Sequence, residues 1–297
     1  MISVVIPSYK NKKMLIDNLN NNIKFLEELE IIIINDSPDE SLKKDLAGFK
    51  VILIENDKNL GFGPSVNKGI IKAKNKYVLL LNTDVRLKNQ NYINALKYFK
   101  ENKKLFAVAF AQKDKNGLIV GKNKVYWKYG FFRHKENTDL SFEINAWVEG
   151  GASIVDRDIF LKLGGFDDLY SPFYWEDIDL SYRAWRSGYE IFFDPKIIMR
   201  HYHESTISKY FQKKYIEKIA FRNQLIFIWK NITDFNLILH HIFFLIPNLI
   251  IFTLKGKFNY LMGFFGTVKN VSTIIKNRKK QKSQYIIKDS EVLQKFK

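Results

Sequence analysis

The sequence predicts an α/β fold, a mostly parallel sheet covered by helices on both faces, followed by a helical C-terminal extension. Three observations carry this. Short, continuously apolar runs alternate with stretches of helical periodicity through the first third of the 297 residues, the pattern of parallel strands buried on both faces. A small set of polar residues ends each run, at the positions where open parallel sheets bind ligands. Beyond about residue 210 the alternation stops and the chain becomes apolar, basic and helical.

The strands are expected at 2–6, 30–35, 51–55 and 77–82, closed by Pro7-Ser8-Tyr9, Asn35-Asp36-Ser37, Asn56-Asp57 and Asn82-Thr83-Asp84. Leu15, Leu19, Ile23 and Leu26 recur at helical spacing after the first. A helix over about 64–74 buries Val66, Ile70 and Ala73. The middle is less regular, with candidate strands near 106–110 and 146–155. Asp156 is placed to cap a short helix closed by Gly164-Gly165, and a second helix over about 176–186 stops at Gly188. A strand pair at 191–193 and 197–199 leads to His201-Tyr202-His203-Glu204. Two regions are expected, 1–210 and 211–297.

Cysteine is absent, which excludes disulfides, thiolate metal sites and a cysteine nucleophile. The chain opens on an apolar run with no basic leader or cleavage site, so the catalytic part is expected in the cytoplasm. A net charge of +17 calls for a polyanionic partner. From residue 255 onward, 11 Lys and Arg face only Asp289 and Glu291, a net +9 in the last seventh of the chain. That basic patch follows its most apolar stretch, 235–254, which has no Asp, Glu, Lys or Arg. Basic residues beside apolar ones suit anionic lipid. No DNA- or RNA-binding motif accompanies the charge, so nucleic acid is not expected as a partner. The stretch is long enough to cross a bilayer, but Asn236, His240, His241, Pro247, Asn248 and Thr253 oppose spanning. Helices lying in the interface are expected instead.

Gly61-Phe62-Gly63 is not a dinucleotide fingerprint, because Val66 stands where the third glycine belongs. It is a flexible approach to a helix N-terminus. Six segments together, in order, resemble family-2 glycosyltransferases of the GT-A fold, particularly the rhamnosyltransferase-like subgroup. They are Ser3-Val4-Val5-Ile6-Pro7-Ser8-Tyr9, Glu30 to Ser37, Asn59-Leu60-Gly61-Phe62-Gly63 with Asn67-Lys68-Gly69, Leu80 to Val85, Gly164-Gly165-Phe166-Asp167, and Trp175-Glu176-Asp177-Ile178-Asp179-Leu180-Ser181-Tyr182-Arg183. Phe221-Arg222-Asn223 resembles the start of that subgroup's helical tail.

The resemblance implies a GT-A, Rossmann-like sheet binding a nucleotide-diphosphate sugar, and inverting transfer from a UDP- or dTDP-sugar to a glycan or lipid-linked acceptor. Pro7, Ser8, Tyr9 and Asp36 would form the nucleotide pocket, with Gly61, Asn67, Asn82 and Thr83 near the donor. Asp36 can accept from a uracil or thymine N–H, or it can make an Asx turn into Ser37-Pro38. Asn82-Thr83-Asp84 stands where the fold usually carries Asp-x-Asp, with an amide replacing the first carboxylate. Asp84 would then hold a divalent cation, Mn²⁺ or Mg²⁺, with diphosphate and water. His201, ahead of Ser205-Thr206, is the expected further contact, with His203 as the alternative. Asp177 would be the base and Glu176 would orient the acceptor. Acids there also suit a helix N-terminus, and Asp179–Arg183 is an i,i+4 pair. Gly150 and Gly151 would lie on the acceptor side with Trp175, whose ring suits a sugar face or a core equally. The competing class is a nucleotide-sugar-binding protein without turnover.

Overall fold

The computed structural model describes residues 1–201 and 209–297. The apolar runs become β1 (Ile2–Ser8), β2 (Glu30–Asn35), β3 (Ile52–Glu55) and β4 (Tyr77–Leu81), linked through α1 (Lys12–Asn22) and α2 (Phe62–Lys72). A two-residue β5 (Val85–Arg86) and α3 (Leu96–Glu101) follow. The middle supplies β6 (Leu105–Lys113), β7 (Ile119–Val120), β8 (Asn123–Lys128), β9 (Phe131–Glu136), β10 (Glu143–Ile144), β11 (Ala152–Asp156) and α4 (Arg157–Lys162). After α5 (Glu176–Arg186) and β12 (Glu190–His201) the chain is helical: α6 (Lys213–Asn231), α7 (Phe235–Leu254), α8 (Phe258–Val268), α9 (Val271–Lys282) and α10 (Asp289–Gln294).

The main sheet runs β10-β12-β6-β11-β4-β1-β2-β3, with β5 on β12 and β7 on β6. β3, β2, β1 and β4 are mutually parallel, β6 and β12 are parallel, and β11 joins the two groups antiparallel to both neighbours. Side chains alternate between faces with period 2. Val5, Ile32, Ile34 and Leu80 therefore pack under α2 with Val66 and Ile70. Val4, Ile6, Ile33 and Leu79 pack on the other face against Leu15 and Leu19 of α1. A Cβ on Gly69 would come within 2.6 Å of Val5 and 2.7 Å of Ile34, so glycine sets how closely α2 approaches the sheet.

Three local features differ from expectation. β11 is shorter than 146–155 because residues 149–151 turn past Asn82 and Phe62 before the strand begins. The strand pair at 191–199 is one strand, β12, whose register against β6 shifts between Asp194 and Ile198. Pro195 there has no N–H to give the ladder, which makes a bulge the natural solution. β8 and β9 form a separate hairpin that the sequence did not announce. Its turn places Tyr129 at φ +51° and Gly130 at φ +76°, a tight reversal usually signalled by Asn-Gly.

The composition boundary near residue 210 is not a boundary in the core. Phe221, Leu225 and Phe227 of α6 are buried with Phe132, Trp175 and Tyr182. The end of the chain then returns to α5: Asp289, fully buried, pairs with Arg186 and Tyr182. It also accepts from the N–H groups of Thr233 (2.6 Å) and Asp234 (2.7 Å) at the start of α7. Asp156 caps α4 as expected, accepting from Asp158 and Ile159 N–H.

Removing one member of a buried ion pair leaves an uncompensated charge and costs about 3–5 kcal/mol. Asp289→Ala should therefore lower the melting temperature markedly, and removal of residues 284–297 should lower it at least as far. Calorimetry of the three proteins checks this; an unchanged Tm for Asp289→Ala would show that the C-terminal return is not a brace.

Candidate active site

A cavity of about 430 Å³ opens beyond the carboxyl ends of β1, β2 and β4, the ligand position of open parallel sheets. At one end Pro7, Ser8 and Tyr9 face Asp36. Asp36 is buried (3% exposed), and its N–H donates to Ser8 O across the β1–β2 ladder. One carboxylate oxygen accepts from Leu60 N–H (2.8 Å) and Asn56 Nδ2 (2.9 Å), the other from Gly61 N–H (2.8 Å). Asp36 thus ties the loop before α2 to the end of β2. The Asx turn belongs to Asn35, whose Oδ1 accepts from Ser37 N–H. Gly61 sits at φ +90°, and a Cβ would come within 2.9 Å of Pro172 O.

At the centre lie Asn82, Thr83 and Asp84. Asn82 N–H donates to Gly151 O, and a Cβ on Gly151 would fall 2.2 Å from the Asn82 amide. A Cβ on Gly150 would fall 2.5 Å from the Phe62 ring. Both glycines therefore buy close approach at the cavity wall. β12 delivers His201 to the same place, its Nε2 2.9 Å from Asp84 Oδ1. His203 lies outside the described residues. Neighbouring ligands of an octahedral Mg²⁺ with bonds of 2.0–2.1 Å stand about 2.9 Å apart, so the two atoms are spaced to share one small cation. Among the described residues no three His, Asp or Glu side chains gather at a point. The protein would supply two donors, leaving the others to phosphate oxygens and water, as is usual for Mg²⁺.

The far end is built by α5. Tyr174 (φ +70°) and Trp175 (φ +77°) are consecutive left-handed residues without glycine's freedom. Asn223 of α6 holds them: its Nδ2 lies 2.8–2.9 Å from the carbonyls of Tyr170, Phe173 and Tyr174. Glu176 and Asp177 then face the cavity from the first turn. Burial, and then the charge of Glu149, push the Asp177 carboxyl up to about 7. Burial, and then Asp177, push Glu176 well above the usual carboxylate range, and its Oε2 is buried without a hydrogen-bond partner. Two residues on, Asp179 behaves oppositely. Burial would raise it, but Lys230 and Arg183 outweigh that and hold it down at about 2.

Two expected site residues lie elsewhere. Asn67 does not line the cavity; its amide makes paired hydrogen bonds with the Phe166 backbone (2.8 and 2.9 Å) and locks α2 to the Gly164-Gly165 turn. Trp175 is buried among Phe132, His134 and Phe227, so its ring has no free face for an acceptor. Tyr174, 39% exposed, lines the cavity there with Phe173, Phe211 and Trp147. Gln112 and Asn223 are contributors that sequence reasoning did not single out as site residues, although Asn223 lay within a quoted segment.

This sheet order, with a nucleotide-type pocket beyond the strand ends and acids on the following helix, defines the GT-A class. Residues 3–164 match the profile of Glycosyl transferase family 2, just over half of the 297 residues, and the chain belongs to that family. It is 24% identical over 241 residues to rhamnosyltransferase WbbL of Escherichia coli (strain K12), covering 72% of this chain and 88% of that protein. The O-antigen chain rhamnosyltransferase RfbN of Salmonella typhimurium (strain LT2) is 23% identical over 222 residues, covering 71% and 69%. Among solved structures, S. aureus TarS residues 1–349 with UDP-GlcNAc superposes with a TM-score of 0.58 at 14% identity, over 99% of this chain and 89% of that one. GalNAc-T7 with UDP, GalNAc and Mn²⁺ gives 0.59 at 17% identity, over 77% of this chain but only 48% of that one.

An Asp177 carboxyl at about 7 keeps, in the folded protein, a proton that the unfolded chain has lost above its ordinary 3.8. Stability contributed by this group therefore falls as pH rises from about 4 to 7. Asp177→Asn should remove that loss, so the variant gains on the wild type by about 3 kcal/mol between pH 5 and 8. Urea titrations at both pH values check it; equal pH slopes would show that Asp177 ionises normally.

Proposed function

We propose that this chain is an inverting, metal-dependent glycosyltransferase moving a sugar from a UDP- or dTDP-sugar to a hydroxyl of a lipid-linked or polysaccharide acceptor in cell-surface glycan synthesis. The observation that carries this is the opposition, in one cavity, of a carboxylate of raised proton affinity, Asp177, and the Asp84–His201 pair. Inversion is a single in-line displacement, which needs a base opposite the leaving group. Asp177 takes the acceptor hydroxyl's proton as that oxygen bonds to the sugar's anomeric carbon and the carbon–phosphate oxygen bond breaks. A divalent cation held by Asp84 and His201 would supply positive charge to the departing diphosphate. Asp36, Pro7, Ser8 and Tyr9 enclose the base, and Asn82, Thr83 and Gly61 border the phosphates and sugar. Glu176, protonated, has an O–H to donate to a sugar hydroxyl, and Gly150 and Gly151 leave room on the acceptor side. The ligands named for the fold neighbours agree with this reading: UDP-GlcNAc for TarS, and Mn²⁺ with UDP for GalNAc-T7 or with GDP-Man for a Pyrobaculum calidifontis mannosyltransferase. A binding protein without turnover would not need Asp177 kept basic.

The same proposal places the enzyme on the cytoplasmic side of an anionic membrane, lying in its surface. Phe235, Leu239, Ile242, Phe243, Ile246 and Ile250 of α7 are exposed, and Phe258, Met262 and Phe265 of α8 continue the apolar surface. Among the described residues α7 is the one helix long and apolar enough to cross a membrane. Its other side is bonded to the protein: Trp127 Nε1–H to His240 Nδ1 (2.8 Å), His241 Nδ1–H to Gly130 O (2.7 Å), and Trp229 Nε1–H to His241 Nε2 (3.0 Å). A helix docked along one side and apolar along the other suits the interface. Lys276, Arg278, Lys279, Lys280 and Lys282 add the second, electrostatic signal, each about 1 kcal/mol near anionic lipid.

Incubating the chain with Mn²⁺ and a panel of UDP- and dTDP-sugars should reveal one donor that raises Tm and is turned over. With that donor, Asp177→Asn should lower transfer by roughly a hundredfold or more, the scale of general-base loss, with donor affinity little changed. Undiminished transfer by the variant, or full wild-type activity in EDTA, would sink the mechanism. On vesicles, neutralising the five basic residues of α9 should weaken binding to anionic lipid far more than to neutral lipid. Resistance to alkaline carbonate extraction would show that α7 spans.

A further inference from the structure

We infer that Gln112 is a positioning residue that holds His201 toward the cation with one end of its amide and Glu149 beside the base with the other, coupling the two ends of the cavity. This rests on the reading of Asp84 and His201 as the cation site. Gln112 follows five buried apolar residues, 107–111, on β6 and is itself 1% exposed. A primary amide costs free energy in such a place unless its polar atoms are bonded.

Both ends have a partner. Gln112 Nε2 lies 2.5 Å from Glu149 Oε2, and Oε1 lies against His201 Nδ1. The amide is asymmetric, since NH₂ only donates and the carbonyl only accepts. A carboxylate oxygen requires the NH₂ end, so the carbonyl must face His201. The His201 atom meeting it must then be N–H. That puts a proton on Nδ1 and leaves Nε2, which faces Asp84, as the ring atom a cation would take. Ligand histidines are commonly oriented by such an acceptor on the second nitrogen. Glu149 is steadied by Asn123 Nδ2 as well (3.4 Å). After burial, its charge is what raises the proton affinity of Asp177. The chain of contacts Asp84–His201–Gln112–Glu149 thus runs from the leaving-group end of the cavity to the acid at the acceptor end.

The test is Mn²⁺ binding to the full chain in the presence of UDP, followed by the resonance signal of free Mn²⁺, with Tm as the control for folding. Gln112→Met removes both bonds and should weaken Mn²⁺ about 10- to 100-fold, the usual cost of losing a ligand's supporting partner. Gln112→Glu alone would set two carboxylates face to face, so it is combined with Glu149→Gln, whose amide can donate to the new carboxylate; this double variant keeps an acceptor for His201 and should stay within about threefold of the wild type. Glu149→Gln alone releases the partner that orients the amide and should weaken Mn²⁺ about threefold or more. Wild-type affinity in both Gln112→Met and Glu149→Gln would overturn the inference and leave the cation site standing. Losses in the double variant as large as in Gln112→Met would reduce Gln112 to a packing residue and overturn it too. Failure of the wild type to bind Mn²⁺ with UDP would remove the cation site itself, and the inference with it. If Gln112→Met does not fold, Glu149→Gln alone and the double variant decide the question.

Discussion

A fully buried carboxylate, Asp179, holds together the end of this protein that carries α5. It accepts from Tyr170 Oη–H (2.7 Å), Arg183 Nε–H (2.8 Å), Asn231 Nδ2 (2.7 Å) and Lys230 Nζ (2.7 Å). Lys230, with no exposed surface, also reaches Asp167 (2.7 Å), which in turn accepts from Asn277 (2.9 Å). Arg183 bonds the carbonyls of Leu163 and Gly165. One charge cluster therefore joins the Gly164-Gly165 turn, the loop before α5, α5 itself, α6 and α9. Unpaired, any of these ions would be very costly at this depth; paired, they leave α5 one way to sit.

That constraint lets two neighbouring acids on the same helix do the opposite of Asp179. Glu176 and Asp177 line the cavity, and among the described residues no Lys or Arg pairs with them; burial raises the proton affinity of both, with Glu149 adding to it at Asp177 and Asp177 adding to it at Glu176. One turn of helix thus carries an ion-pair carboxylate held at about 2 and a carboxyl raised to about 7. Environment, not residue type, separates the roles. The left-handed Tyr174 and Trp175 position that turn, and Asn223 holds their backbone in place. The helices that resemble a membrane tail in composition share, on their inner side, the core beneath the cavity.

The outer side of α7 and α8 is apolar. α7 gives its histidines and one apolar edge to the β8–β9 hairpin and leaves large apolar side chains facing out. His241 donates through Nδ1 and accepts at Nε2, which fixes it as neutral, and burial holds its basicity down accordingly. Two histidines that looked like obstacles to a membrane helix are its anchors to the protein.

Local signals were legible in the sequence because their physics is local. Continuous apolar runs marked β1, β2 and β4, Asp156 marked the α4 cap, and strand-end polar residues marked Asp36, Asp84 and the cavity. The order of six segments was enough to indicate the family. Tertiary structure decided what depends on contacts between residues far apart in the chain. It turned Trp175 and Asn67 inward, because Phe227 and Phe166 meet them from 52 and 99 positions away. It formed the β8–β9 hairpin around an atypical Tyr-Gly turn, because α6 and α7 cover its apolar side. It brought Asp289 to Arg186 and Gln112 between His201 and Glu149. Periodicity and capping report which face of an element is apolar, but a single buried amide or carboxylate leaves no periodic trace until its distant partners fold around it.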